Sequence, residues 1–239
     1  RLSESQLRPC RSAGMDTLAS LLAGNRDHTE RVADSFDHLQ EGQQPDAVTV
    51  CCSDSRVLQA DAFGIDQPGE VFTVGNIGNR VIQIREDATV VSGDVLYPLA
   101  HTDTKTAVVL GHTGCGAVTA TYDALTGDVS EPPGIEHCID LLAPRLEEGV
   151  ELLPGDLDRA AAVDRLVEYN VDAQISALAD SPHVPEDVTL AGCVYDFQDR
   201  YGGDRGEVHV INIDGERDPE TLRTEHPEIA SRVNRYWDY

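Results

Sequence analysis

Leu18, Leu21, Leu22, Val32, Phe36 and Leu39 recur among charged positions at helical spacing, which predicts a helical arm over residues 1–40. The stretch from Gly42 to Pro45 breaks that pattern. Residues 47–52 (AVTVCC) then form a short apolar run of strand length, and 70–74 (EVFTV) and 106–110 (TAVVL) are two more. Polar or glycine-rich turns follow these runs. They are Ser53-Asp54-Ser55-Arg56, Gly75-Asn76-Ile77-Gly78-Asn79 and Gly111-His112-Thr113-Gly114-Cys115-Gly116. The composition between them predicts a helical turn or two over 57–63 and helices over 88–101 and 117–125. Residues 126–157 are rich in Pro and Gly and read as loop with one short helix. A long helix follows at 160–179, marked by Val163, Leu166, Val167, Val171, Ile175 and Leu178. Strands are expected at 189–195 and 207–213 around the Gly202-Gly203 turn, and a C-terminal helix at 219–237.

Strands alternating with helices predict an α/β fold, a mostly parallel central sheet with helices on both faces, preceded by the N-terminal helical arm. The 239 residues fit one domain: the arm at 1–40, an α/β core at 41–217 and the C-terminal helix at 218–239. There is no internal repeat and no low-complexity segment. Sites in such sheets form beyond the carboxyl ends of the strands, where both Cys52–Arg56 and His112–Cys115 are expected to fall.

Charge narrows the class of partner. The chain carries 43 acidic and 18 basic residues, a net charge of −25, and Lys105 is its one lysine. A surface this anionic repels phosphate backbones and anionic lipid, which argues against nucleic acid and membrane surfaces as partners. No apolar run approaches the ~20 residues of a membrane span. Net charge of this size keeps a protein soluble but destabilises it by self-repulsion, and at molar salt the Debye length falls to about 3 Å. The acidic excess with almost no lysine therefore predicts a halophilic protein.

Six cysteines, at positions 10, 51, 52, 115, 138 and 193, are too sparse for a disulfide scaffold. They suit metal ligation plus buried thiols in a reducing compartment, the cytoplasm. Neighbours on a strand point to opposite faces, so Cys51 and Cys52 cannot readily serve one site. Cys52, His112 and Cys115 offer two sulfurs and a nitrogen, a set that suits zinc and leaves a fourth position open, as catalytic zinc requires. For a lone His-x-x-Cys, a packed thiol beside a solvated imidazole is the ordinary reading. The Cys52-x-Asp54-x-Arg56 element at a second strand end shifts the balance. Asp54 and Arg56, two apart, project to one side of an extended segment, where an arginine fork would keep the carboxylate ionised. A surface ion pair is the alternative.

Cys52-Ser53-Asp54-Ser55-Arg56, with His112-Thr113-Gly114-Cys115 sixty residues after Cys52, resembles the beta-class carbonic anhydrases. The likeness extends to Gln43-Gln44-Pro45, Gln67-Pro68-Gly69-Glu70-Val71-Phe72, Tyr97, Asn170-Val171-Asp172-Ala173-Gln174 and Gly192 to Asp196, covering roughly residues 15–215. The resemblance implies reversible hydration of carbon dioxide to bicarbonate and a proton. It implies one zinc per chain on Cys52, His112 and Cys115, with Asp54 and Arg56 as a catalytic dyad. Gln43 and the backbone N–H of Gly116 would hold bicarbonate, and Tyr97 would line the access channel from a neighbouring subunit, with aromatic core filler as its other reading. His101 is a candidate for exporting the proton, although a surface histidine is the plainer reading. The resemblance also implies a homodimer or a larger even-numbered oligomer. Two thiolate ligands blunt the acidifying effect of zinc relative to three imidazoles, so activity should favour the alkaline side.

Two departures stand out. Gly75-Asn76 replaces the family's usual Arg-Asn, and residues 126–160 match poorly. One branch of the family binds a regulatory bicarbonate with a tryptophan three residues before the first zinc cysteine and with that arginine. Thr49 and Gly75 occupy these positions here, so the resemblance implies that the switch is absent. Rival readings are a carbonyl sulfide or carbon disulfide hydrolase on the same scaffold, and a non-catalytic zinc protein with a closed site. The latter leaves Asp54 and Arg56 unexplained.

Overall fold

The computed structural model describes residues 4–127 and 129–239. The chain divides into two units, 1–43 and 44–239. In the first, helix α1 (Glu4–Val32) runs into a 3-10 helix at Ala33–Leu39, as the sequence pattern predicts for the arm; residues 1–3 lie outside the described residues. Met15, Leu18, Leu21 and Leu22 are exposed on α1. Their spacing places Met15, Leu18 and Leu22 on one side of the helix.

The second unit is built on a five-stranded sheet of order β2-β1-β5-β6-β7, with β1 at Ala47–Cys52, β2 at Val71–Asn76, β5 at Thr106–His112, β6 at Thr189–Asp196 and β7 at Glu207–Ile213. The first four of these strands pair in parallel and β7 runs antiparallel at one edge. Strand β1 is flanked on both sides, which accounts for its continuous apolar run. Helices α2 (Gly93–His101), α3 (Gly116–Thr126), α4 (Pro133–Leu152) and α5 (Arg159–Ala179) supply the helical layers. Helix α5 comes unusually close to the sheet at Gly111, where a Cβ would lie 2.7 Å from Val171 Cγ2, so a side chain there would push the helix away. Leu166, Val171, Ile175 and Leu178 are fully buried on this helix.

Three expectations are corrected. Residues 88–101 are not one helix: β3 (Ile82–Arg85) and β4 (Ala88–Val91) form an antiparallel hairpin, and α2 begins only after Ser92. Thr89, Val90 and Val91 favour a strand, the positive φ of Glu86 and Asp87 makes the turn, and Ser92 caps α2 by accepting Asp94 N–H. Residues 126–157 hold the 20-residue helix α4 rather than a short one. Its Pro133 sits at the helix start, where proline is tolerated, and Ile139, Leu142 and Leu146 recur on a buried face.

The third correction concerns the C-terminus. Helix α6 covers only Pro219–Glu225 and stops before His226-Pro227, because the residue before proline is driven out of helical geometry. The segment beyond it passes beside β7 through the Val210–Val233 bridge and is held by α5. Glu168 accepts the Tyr236 and Trp237 N–H groups, and Asp172 takes Arg235 and the Tyr239 hydroxyl, both at 2.6 Å. At 57–63, helical geometry is limited to a 3-10 turn at Asp61–Phe63. Among the described residues no helix is long and apolar enough to cross a membrane.

Candidate metal centre

The carboxyl ends of β1 and β5 lie close together because Cys51 pairs with Leu110. Alternation along β1 turns Cys51 into a cluster with Val57, Leu110 and Cys193, whereas Cys52 joins the larger core on the other face. Burial and the adjacent Cys52 push the Cys51 thiol up to about 12, so it stays protonated and inert.

Cys52, His112 and Cys115 converge with their ligand atoms within 4.8 Å of one another, all buried. Nδ1 of His112 lies 3.0 Å from the Thr113 carbonyl. A proton on Nδ1 makes that bond and leaves the Nε2 lone pair free; Nε2 is buried and has no hydrogen-bond partner among the described residues. The two sulfurs are 3.9 Å apart, close to the separation of about 3.8 Å expected for two zinc-bound sulfurs at about 2.3 Å in a tetrahedral shell. An orphaned imidazole nitrogen facing two sulfurs at this spacing fits zinc. The Cys115 thiol hydrogen-bonds the Cys52 sulfur at 3.9 Å, which lowers the Cys52 thiol and raises that of Cys115. Backbone N–H groups favour both sulfurs as thiolates: Gly78 N–H on Cys52, and Ala117 and Val118 N–H at the start of α3 on Cys115.

Asp54 and Arg56 form a closed fork beside this cluster. Arg56 Nε donates to Oδ1 at 2.8 Å, Nη2 donates to Oδ2 at 2.6 Å, and the Arg56 backbone N–H adds a third bond at 2.9 Å. The guanidinium holds the Asp54 carboxyl well below the usual carboxylate range. Asp54 Oδ2 lies 3.7 Å from His112 Nε2, so the carboxylate borders the metal position. Arg56 also donates to the Gly114 carbonyl at 3.2 Å and packs on the Phe197 ring, 4.6 Å from its centroid.

The Asn170…Gln174 motif on α5 supports the same cluster from behind. Gln174 accepts the Val81 N–H at 2.9 Å and donates to Asn170, which donates to the Gly78 carbonyl at 3.1 Å. These buried amides fix the loop whose Gly78 N–H reaches Cys52. Phe197 carried no signal in the sequence, because its ring meets Arg56 only through the fold.

The remaining predicted residues are placed differently. Gly116 opens α3 directly after Cys115 and is exposed, with open space where a Cβ would stand. Tyr97 is 50 % exposed, which is inconsistent with core filler, and its ring lies near Phe72 and His101. Gln43 falls in the N-terminal unit.

Fold and site together combine a mostly parallel α/β sheet, a Cys-His-Cys cluster positioned for a metal ion and a carboxylate–guanidinium fork beside it. Residues 47–204 match the carbonic anhydrase family model. Carbonic anhydrase of Pseudomonas aeruginosa is 29 % identical over 222 residues, 90 % of this chain and 94 % of that protein. Carbonic anhydrase 2 of Mycobacterium tuberculosis is 30 % identical over 186 residues, 74 % of this chain and 83 % of that protein. The beta-carbonic anhydrase of Coccomyxa, solved with acetazolamide, superposes with TM-score 0.66 at 26 % identity, covering 87 % of this chain and 91 % of that one. CafA of Aspergillus fumigatus gives TM-score 0.66 at 26 % identity over 92 % and 99 %. The chain belongs to the carbonic anhydrase family, in its beta class.

Proposed function

We propose that this protein catalyses the reversible hydration of carbon dioxide to bicarbonate and a proton, with one zinc ion held by Cys52, His112 and Cys115. The observation that carries this reading is the unpartnered His112 Nε2 facing two sulfurs beside the closed Asp54–Arg56 fork. Zinc, when bound, supplies a Lewis acid that makes water nucleophilic near neutral pH. The fork keeps Asp54 ionised and fixed, so its Oδ2 can accept a hydrogen bond from the attacking water and aim the water's lone pair at the substrate carbon. Arg56 neutralises the charge of Asp54 and does not itself exchange protons. The Gly116 N–H at the start of α3 binds a product oxygen, and Gln43 keeps the bicarbonate-binding role that the resemblance implies. Tyr97 lines the entry, exposed for contact with a neighbouring subunit.

Self-association as a homodimer or larger even-numbered oligomer is supported by the exposed apolar side chains of α1. A cytoplasmic location is supported by Cys51, Cys52, Cys115, Cys138 and Cys193, all free thiols. The net charge of −25 supports a salt-adapted surface.

Stopped-flow carbon dioxide hydration with and without a zinc chelator, at several salt concentrations, tests the proposal. Chelator-sensitive hydration is expected. Sulfide release from carbonyl sulfide without carbon dioxide hydration would reassign the substrate, and zinc binding without either activity would leave a non-catalytic protein.

A further inference from the structure

Asp164, on α5, is 3 % exposed and has no part in the chemistry above. Its Oδ1 accepts the Gly114 N–H at 2.9 Å. Its Oδ2 lies 2.9 Å from Arg200 Nε, an ion pair without good hydrogen-bond alignment. Gly114 stands between the ligands His112 and Cys115 in the left-handed region (φ +60°), and its carbonyl is the one that receives Arg56. Arg200 comes from the turn after β6. That turn is wound on Asp196, which accepts the backbone N–H groups of Gln198, Arg200 and Tyr201 and the Thr113 hydroxyl. The same turn carries Phe197, whose ring lies under the Arg56 guanidinium. The two contacts that hold Arg56 besides Asp54, the Gly114 carbonyl and the Phe197 ring, therefore belong to segments tied together by Asp164 and Arg200.

A neutral acceptor would satisfy the Gly114 N–H equally well. Burying a carboxylate is unfavourable, and a pair with a partly exposed arginine returns little net stability, so stability alone does not explain a charge here. We infer that Asp164 and Arg200 are positioning residues that act through the Gly114 carbonyl and the Phe197 ring to keep the Arg56 guanidinium clamped on Asp54. With the tie cut, Gly114 and Phe197 no longer fix the guanidinium. The fork loosens, and the Asp54 carboxylate becomes free to turn toward the metal. This inference rests on the reading of Asp54 and Arg56 as the dyad beside zinc.

The test compares Asp164→Ala, Arg200→Gln and Arg200→Lys in the zinc-loaded enzyme, with the cobalt-substituted protein as spectroscopic probe. Asp164→Ala should lower kcat roughly 10–100-fold, the range for residues that orient a metal site, while retaining one metal per chain. KM should change by less than about twofold, because a transition-state interaction is lost rather than substrate binding. Arg200→Gln should lose activity in the same direction, Arg200→Lys should recover most of it, and Asp164→Ala with Arg200→Gln should be less than additive. The visible cobalt bands should change in Asp164→Ala, and adding Asp54→Ala should reverse that change. Unchanged kcat in both Asp164→Ala and Arg200→Gln, or a loss that follows metal loss, would overturn the inference. If Asp164→Ala does not fold, Arg200→Gln against Arg200→Lys decides, since Arg200 is partly exposed. An Asp54→Asn control that keeps full activity would instead refute the dyad reading itself.

Discussion

Arg56 holds both carboxylate oxygens of Asp54, while Oδ2 of that carboxylate stands 3.7 Å from the unpartnered Nε2 of His112. One carboxylate thus faces a permanent cation on one side and the metal position on the other. Asp54→Asn turns one oxygen into an NH2 group, which cannot accept from Arg56 or from water. Zinc should remain at one per chain, while hydration falls roughly 10²–10⁴-fold, the range for losing a positioned proton acceptor. Metal analysis paired with stopped-flow rates measures both halves, and a fall in metal content would move Asp54 into the ligand set.

Cys51 and Cys52 are adjacent in sequence but lie in different clusters. Cys115→Ser should lose zinc and activity, since a hydroxyl is a poor zinc ligand beside a thiolate and an imidazole. Cys51→Ser should keep both, at a modest loss of stability. Plasma emission spectrometry on the two proteins separates the outcomes, and equal zinc loss in both would refute the assignment.

The strand ends that hold Cys52, His112 and Cys115 were legible because short apolar runs stop at polar turns, and a parallel sheet lines up such ends. The hairpin at 82–91 was not. Its turn, Glu86-Asp87, has no glycine or asparagine, and its apolar run continues into a true helix at Gly93. Helix α4 was hidden by Pro133, Gly134, Pro144 and Gly149, which resemble loop residues until the buried face at Ile139, Leu142 and Leu146 is seen. Phe197 and Asp164 lie 141 and 108 positions after Arg56, so no local pattern links them to it. The motif Asn170…Gln174 was visible as a resemblance, but its use, bracing the loop at Gly78 and Val81, depends on the packing of α5.

That bracing gives a separate expectation. Gln174→Leu leaves the buried Val81 N–H without an acceptor, a loss of about 1–3 kcal/mol in stability. The loop that supplies the Gly78 N–H to Cys52 then loosens, and zinc affinity should fall roughly 10–100-fold, as for other residues that orient a metal site. Competition with a chromophoric chelator reads the affinity and denaturant unfolding the stability. Destabilisation with unchanged zinc affinity would show that the amides serve the fold alone.

A net charge of −25 makes salt a stabilising agent. Added salt screens repulsion among the acidic groups, and at about 1 M the Debye length is only about 3 Å. The thermal midpoint should rise from dilute buffer to molar potassium chloride, and light scattering in high salt should report a dimer or a larger even assembly. A monomer with its highest midpoint in dilute buffer would contradict both parts.

Regulation by bicarbonate should be absent, and the reason lies at two positions. Thr49 is buried on β1, and its hydroxyl accepts Gln59 Nε2 at 2.5 Å, so a polar pair stands where the regulated branch has an aromatic wall. Gly75 brings no cation, and a Cβ there would already meet Ser53 Oγ at 3.3 Å. An anion entering without the arginine loses a charge-assisted hydrogen bond, typically about 1.5–3 kcal/mol. A ligand that does not favour the inactive arrangement cannot shift the equilibrium toward it. The Asp54–Arg56 fork, closed here, should stay closed, and bicarbonate should act only as product. Inhibition by bicarbonate should therefore be hyperbolic, with a Hill coefficient near 1 across the usable pH range. Sigmoidal inhibition, or a crystal grown near pH 7 with Asp54 on zinc, would show that another anion site drives the switch. Replacing Gly75 by arginine and Thr49 by tryptophan together is the converse experiment. If the regulatory anion site needs only those two groups, that double variant should acquire sigmoidal inhibition that the parent lacks.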